Sequence, residues 1–77
     1  MRMDKKIKLT NEENIRQRLI KAIQESGISQ TEIAKKANIT SASLSDYIHK
    51  GKLPSLTTFA LICKAIDISA DEILGII

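Results

Sequence analysis

Tryptophan is missing from this chain, and aromatic residues are reduced to Tyr47 and Phe59. A core without large flat side chains has to be assembled from aliphatic ones, and isoleucine is correspondingly frequent within a hydrophobic fraction of 43%. Seventy-seven residues allow one domain. A chain of this size buries about 60 to 65% of its unfolded surface, so its apolar residues must pack densely along helices. Cysteine is reduced to Cys63, which excludes a disulfide within the chain and suits a reducing compartment. Histidine is reduced to His49, in a different predicted helix from Cys63. Ser45, Asp46 and His49 fall on one helix surface with no buried site or oxyanion cradle, so they do not assemble a triad. Metal-ligand spacing and glycine-rich phosphate loops are both missing. These absences argue against an enzyme and leave no cofactor, metal or small-molecule ligand to expect.

Long apolar runs are missing too. The start, Met1-Arg2-Met3-Asp4-Lys5-Lys6-Ile7-Lys8, has none that would serve a signal peptide, and nothing later approaches the roughly 20 apolar residues of a membrane span. The expectation is a cytoplasmic protein without a membrane partner. Residues 1–11 carry Arg2, Lys5, Lys6 and Lys8 against Asp4 and so account for the whole net charge of +3, while the rest of the chain is neutral. They are expected to form a flexible basic arm before a helical domain over residues 12–77. Any field for nucleic acid then depends on how the domain's charges are arranged. Lys35, Lys36, Lys50 and Lys52 gather in residues 30–52, whereas Glu12, Glu13, Asp67, Asp71 and Glu72 lie at the starts of flanking helices, where carboxylates stabilise the dipole.

What is present is a sequence of helix punctuation. Ser29 with Glu32 three places on has the form of a reciprocal capping box. Thr40 offers a hydroxyl cap to a second helix, and Asn38 tolerates the left-handed conformation that ends the first. Helices over residues 30–37 and 41–50 follow, at helix-turn-helix spacing. At about 100° per residue, Leu44, Tyr47 and Ile48 share one side of the second helix. Ala42, Ser45, Asp46 and His49 fall opposite, with Ser41 at the exposed first turn, so that face is small and polar and can approach a surface closely.

The flanks follow the same logic. Thr10 with Glu13 opens a helix over residues 11–26, with Ile15, Leu19 and Ala22 as its buried stripe, Ile20 and Ile23 widening it, and Gly27 as its stop. Gly51 and Pro54 punctuate a loop. Ser55 caps a helix over residues 56–66, in which Leu56, Phe59, Ala60, Cys63 and Ile66 share the buried face, with Leu61 opposite. Cys63 reads as a small core residue, and Leu44 and Phe59 are expected to join the second helix of the motif to this one. Ser69 with Glu72 opens a short fifth helix that Gly75 ends.

Gly27-Ile28-Ser29-Gln30, Glu32-Ile33-Ala34, Ile39-Thr40-Ser41-x-x-Leu44-Ser45, Pro54-Ser55-Leu56 and Ile68-Ser69-x-x-x-Ile73-Leu74 occur in an order that resembles the phage-repressor family of DNA-binding domains, the Cro and C1 type. The resemblance covers residues 15–74. It implies an all-α, compact five-helix, lambda-repressor-like domain that binds double-stranded DNA as a sequence-specific transcriptional regulator, a repressor, with the helix over residues 41–50 in the major groove. By the same resemblance Ser41, Ala42, Ser45 and Asp46 are the base readers, with Thr40 and Ser43 near the backbone. Gln30 opens its helix where side chain and free amides can meet a phosphate, and Lys50 and Lys52 add affinity.

The chain departs from the family at two places. Many members have arginine or glutamine where Ser41 and Ala42 stand, so this face lacks a bidentate partner for guanine or adenine and its direct readout is expected to be modest. The family's glycine commonly stands where Lys50 is, so either the helix runs one residue longer or Lys50 takes an unusual backbone angle. The alternative reading is a protein-binding module that uses the same fold. A homodimer is expected from Ile73, Leu74, Ile76 and Ile77, which crowd around Gly75 on a very short helix, together with Leu61; exposed apolar surface of this kind marks a contact, and family members commonly pair through their C-terminal helices.

Overall fold

Asn11 is the residue on which the first helix starts: its Oδ1 accepts the Asn14 amide at 2.9 Å. The computed structural model describes residues 11–75, so Thr10, the expected cap, the basic arm before it, Ile76 and Ile77 lie outside the described residues. Asn11, counted with the arm in the sequence expectation, is the N-cap of the first helix. Five helices follow in order: α1 Glu12–Glu25, α2 Gln30–Lys36, α3 Ser41–His49, α4 Leu56–Ala65 and α5 Ala70–Leu74.

The expected hydroxyl caps are formed, each satisfying one of the amides a helix leaves unpaired at its start. Ser29 Oγ accepts from Glu32 N–H at 3.1 Å, Thr40 Oγ1 from Ser43 N–H at 3.0 Å, and Ser55 Oγ from Thr58 N–H at 3.2 Å. Of the Ser29 box only this serine half forms among the described residues. Ser69 departs further: its Oγ accepts from Asp71 N–H at 3.2 Å, while the Glu72 amide goes to the Ser69 carbonyl at 3.1 Å.

The ends of α2 and α4 are built alike. Asn38 (φ 59°) and Asp67 (φ 58°) are left-handed. Asn38 N–H reaches Lys35 O at 3.2 Å and Ile39 N–H reaches Ala34 O at 2.9 Å. After α4, Asp67 N–H and Ile68 N–H bond Lys64 O and Cys63 O at 3.2 and 3.0 Å. Both sets are Schellman closures, which satisfy the last carbonyls of a helix. The end of α3 settles the displaced glycine: Lys50 has an ordinary backbone (φ −114°) and Gly51 supplies the left-handed turn at φ 75°. The helix simply runs on toward the later glycine.

α2 packs on both α3 and α4, and α1 packs on α3 and α5. The core they enclose is aliphatic, with Leu19, Ile23, Ile33, Ala34, Leu44, Ile48, Ile62 and Ile73 all buried. Leu44 and Phe59 are in it as expected, but the substantial helix contact of α4 is with α2 and not with α3. The buried face of α4 is also turned. Phe59, Ile62, Cys63 and Ile66 point inward, Ala60 is exposed, and Leu56 is 85% exposed. Leu61, expected on the outside, is half-buried against the core. The sequence Leu-Thr-Thr-Phe-Ala-Leu-Ile-Cys-Lys-Ala is apolar in so many places that its period admits two faces. Packing against α2 decides between them. Burial pushes the Cys63 thiol above its ordinary value of 9.0, consistent with a packing role.

Ile73 is a second correction. It was expected on a dimer surface, yet it is only 2% exposed and belongs to the core that α5 shares with α1. Leu74 is half-buried beside it.

Candidate nucleic-acid interface

Two arginines of α1 fix the ends of other helices. Arg16 donates from Nη2 to Ile48 O at 3.3 Å, with Nη1 held 3.3 Å from a Glu13 carboxylate oxygen. Arg18 donates from Nε to Ile73 O at 2.6 Å and from Nη2 to Leu74 O at 3.2 Å. Each places a cation where carbonyls at a helix C-terminus carry partial negative charge, so the hydrogen bonds and the dipole act together. Sequence reasoning missed both. The available signal was a strong cation beside the apolar stripe of α1, Arg16 next to Ile15 and Arg18 next to Leu19.

Held at its start by Thr40, at its end by Arg16 and along its length by Leu44 and Ile48, α3 presents one face outward. Ser41 and Ala42 are exposed there, in the first turn. Thr40 is exposed but committed, because besides capping it donates from Oγ1 to Ser43 Oγ at 3.0 Å. Ser43, Ser45 and Asp46 are half-buried, and His49 is exposed at the far end. Gln30 is exposed as the first residue of α2. The face is therefore exposed at its two ends, at Ser41 and Ala42 in the first turn and at His49 in the last, and half-buried between them.

Charge follows the same division. α1, α2 and α5 have carboxylates in their first turns, whereas α3 and α4 have none. The positive ends of those two dipoles are left uncompensated, the condition under which a helix start attracts an anion. At the other end of α3, Lys50 Nζ and Lys52 Nζ lie 3.7 and 3.8 Å from the two carboxylate oxygens of Asp46. The structure thus brings the expected base reader Asp46 together with the two lysines expected to add affinity. No helix among the described residues is long and apolar enough to cross a membrane.

Comparison with known proteins agrees with this architecture. A family model described as helix-turn-helix matches residues 19–73. The crystal structure of the clp gene regulator ClgR from C. glutamicum is similar with a TM-score of 0.71 at 22% identity, covering 82% of this chain and 82% of that one. The hypothetical transcription factor NHTF from Neisseria is similar with a TM-score of 0.67 at 21% identity, covering 88% of this chain and 81% of that one. At these identities the two structures speak to the fold alone. No curated protein matches the chain significantly. With the family model spanning all but the first part of α1 and the end of α5, the chain belongs to the helix-turn-helix family of the Cro/C1, XRE-like type.

Proposed function

We propose that the chain is a sequence-specific DNA-binding transcription regulator of the cytoplasm, a repressor, that sets α3 in the major groove of double-stranded DNA. The observation that carries this reading is the outward face of α3: Ser41 and Ala42 stand exposed on a first turn without a carboxylate, on a helix fastened at both ends. Short side chains let the backbone come close to base edges, where serine bonds several bases and alanine touches a thymine methyl. Ser45 reads a turn later. Gln30, Thr40 and Ser43 lie where phosphates would pass, and Lys50 and Lys52 supply charge at the exit. ClgR and NHTF, by their descriptions a gene regulator and a hypothetical transcription factor, support the same reading.

A two-fold pair remains part of the proposal, with its contact surface moved. Among the described residues the exposed large apolar ones are Leu53, at 39%, and Leu56, at 85%. They border a shallow groove of about 160 Å³ lined also by Ile15, Phe59 and Leu74. A projecting leucine beside an apolar groove is self-complementary, as a two-fold interface requires. Two copies would set their α3 helices about 34 to 36 Å apart, one turn of DNA.

A protein-binding module is the second reading, favoured by the partial neutralisation of Lys50 and Lys52 by Asp46. Sequences selected from a random duplex pool, followed by a salt series on the winner, separate the two. Phosphate contacts make log K fall linearly with log salt, and a near-palindromic site bound by two copies in sedimentation is the expected result. Failure to enrich any sequence, with no salt-dependent binding, would remove the DNA reading.

A further inference from the structure

Asp46 lies one turn before the end of α3, and its carboxylate is shared by two cations, Lys50 on Oδ1 at 3.7 Å and Lys52 on Oδ2 at 3.8 Å. Lys50 reaches it as the residue four places on, along the same helix face. Lys52 reaches it because Gly51, at φ 75°, turns the chain back over the end of the helix. The Asp46 side chain is 29% exposed, whereas those of Lys50 and Lys52 are 73% and 66% exposed. A partly sheltered acid therefore holds two largely solvated lysines, and it is the one acid of α3.

We infer that Asp46 is a specificity-determining latch, which ties the phosphate contacts of Lys50 and Lys52 to the identity of one base. The inference rests on the proposed insertion of α3 into the major groove. A carboxylate brought up to a duplex is repelled by phosphates unless a donor meets it, and the major groove offers such donors as exocyclic amino groups, above all cytosine N4. On a duplex with that donor in reach, the amino group takes the lysines' place on Asp46, and both lysines pass to phosphates. Where the base offers no donor, the lysines stay on the two Asp46 oxygens, Lys50 on Oδ1 and Lys52 on Oδ2, and the two phosphate contacts are not made. Exposed ion pairs at these separations are weak and exchange readily, as the transfer needs. A face with no bidentate arginine or glutamine thereby gains discrimination from contacts that do not read sequence themselves.

The experiment compares salt dependence on two duplexes, the selected site and the same site with only the Asp46-proximal base pair changed, for wild type, Asp46→Asn and the double variant Lys50→Gln/Lys52→Gln. For wild type the log K against log salt line should be steeper on the selected site by about 1.8, two phosphates at about 0.9 each. Asp46→Asn should give one slope on both duplexes, with binding to the altered duplex raised roughly three- to tenfold. The double variant should show the shallow slope on both. Thermal melts close to that of wild type confirm that the variants fold. Equal wild-type slopes on the two duplexes would overturn the latch, including the case in which Asp46→Asn alters base preference and nothing else, which makes Asp46 an ordinary reader. Absence of salt-dependent binding by wild type on every duplex overturns the latch through the DNA reading beneath it, a result distinct from equal, steep slopes.

Discussion

Arg16 on α1 donates from Nη2 to the main-chain carbonyl of Ile48, 32 residues away, at 3.3 Å. The outward-facing helix is thus held at its last turn by a side chain that takes no part in the outward face. Its guanidinium is largely sheltered, the side chain being 13% exposed, and its Nε is buried without a hydrogen-bond partner among the described residues.

Replacing Arg16 by methionine keeps most of the packed stem and removes both the cap and the unpartnered Nε. The first loss and the second relief oppose one another, so the expected cost is about 1 kcal/mol, below the roughly 1.5 to 3 kcal/mol of a charged hydrogen bond. In a domain of this size that lowers the melting temperature by about 4 to 8 °C. Hydrogen exchange supplies the sharper check: the Lys50 amide, which bonds Asp46 O at 2.9 Å in the last turn of α3, should exchange faster. Unchanged protection there would mean that Arg16 does not hold the helix end.

Leu44→Ala removes a side chain with no exposed surface and should cost about 2 to 5 kcal/mol, enough to unfold much of a marginally stable domain. Leu56→Ser removes one that is 85% exposed and should move monomer stability by less than about 0.5 kcal/mol. Denaturant titration of the two variants at a concentration too low for pairing tests this, and similar losses would place Leu56 in the core.

Why Leu56 was misread while Leu44 was not is a matter of where the information lies. Ser29, Thr40 and Ser55 each accept from the amide three residues ahead, so their roles were legible from spacing. Asn38 likewise announces its left-handed turn locally. The amphipathic pattern of α3 leaves one choice of buried side, whereas α4 is apolar around much of its circumference and its orientation depends on α2. Arg16 and Arg18 act over 32 and 55 residues of chain, and no local period encodes such partners. In the candidate interface, the positions of Gln30, Ser41 and Ala42 followed from the helix boundaries. The association of Asp46 with Lys52 did not, since it depends on the turn at Gly51.

Gly51→Ala tests that turn by itself. A Cβ at this position meets nothing within 4 Å, so its cost comes only from the left-handed backbone at φ 75°. About 1 to 2 kcal/mol is expected for a residue with a side chain held there. If the turn relaxes to avoid the strain, the distance from Lys52 to Asp46, 3.8 Å with glycine in place, should lengthen, readable in a crystal structure of the variant. A variant with parental stability and an unaltered Lys52 to Asp46 distance would show that glycine is not required.

Cys63 gives a pH prediction with a definite sign. Its folded pKa is raised above 9.0 by burial, so the folded state retains a proton that the unfolded chain gives up first. The associated stability is fully present below pH 9.0 and is lost as pH rises through the folded pKa. Wild type should accordingly lose ground to Cys63→Ala as pH climbs above 9.0. Urea titrations of both proteins at pH 7.5 and pH 10 give the comparison, and a constant difference would contradict it.

The matched closures of α2 and α4 have a mechanical meaning. Asn38 and Asp67 hold left-handed backbones that glycine would adopt with less strain, yet glycine would also open many other conformations to each corner. With a side chain at residue 38, the joint between α2 and α3 has fewer alternative angles, and α3 behaves as a stiff blade and not as a hinged one. In the proposed complex the compliant partner is then the duplex. Groove width and bendability of the DNA, including at base pairs the protein does not touch, would decide how well such a blade seats.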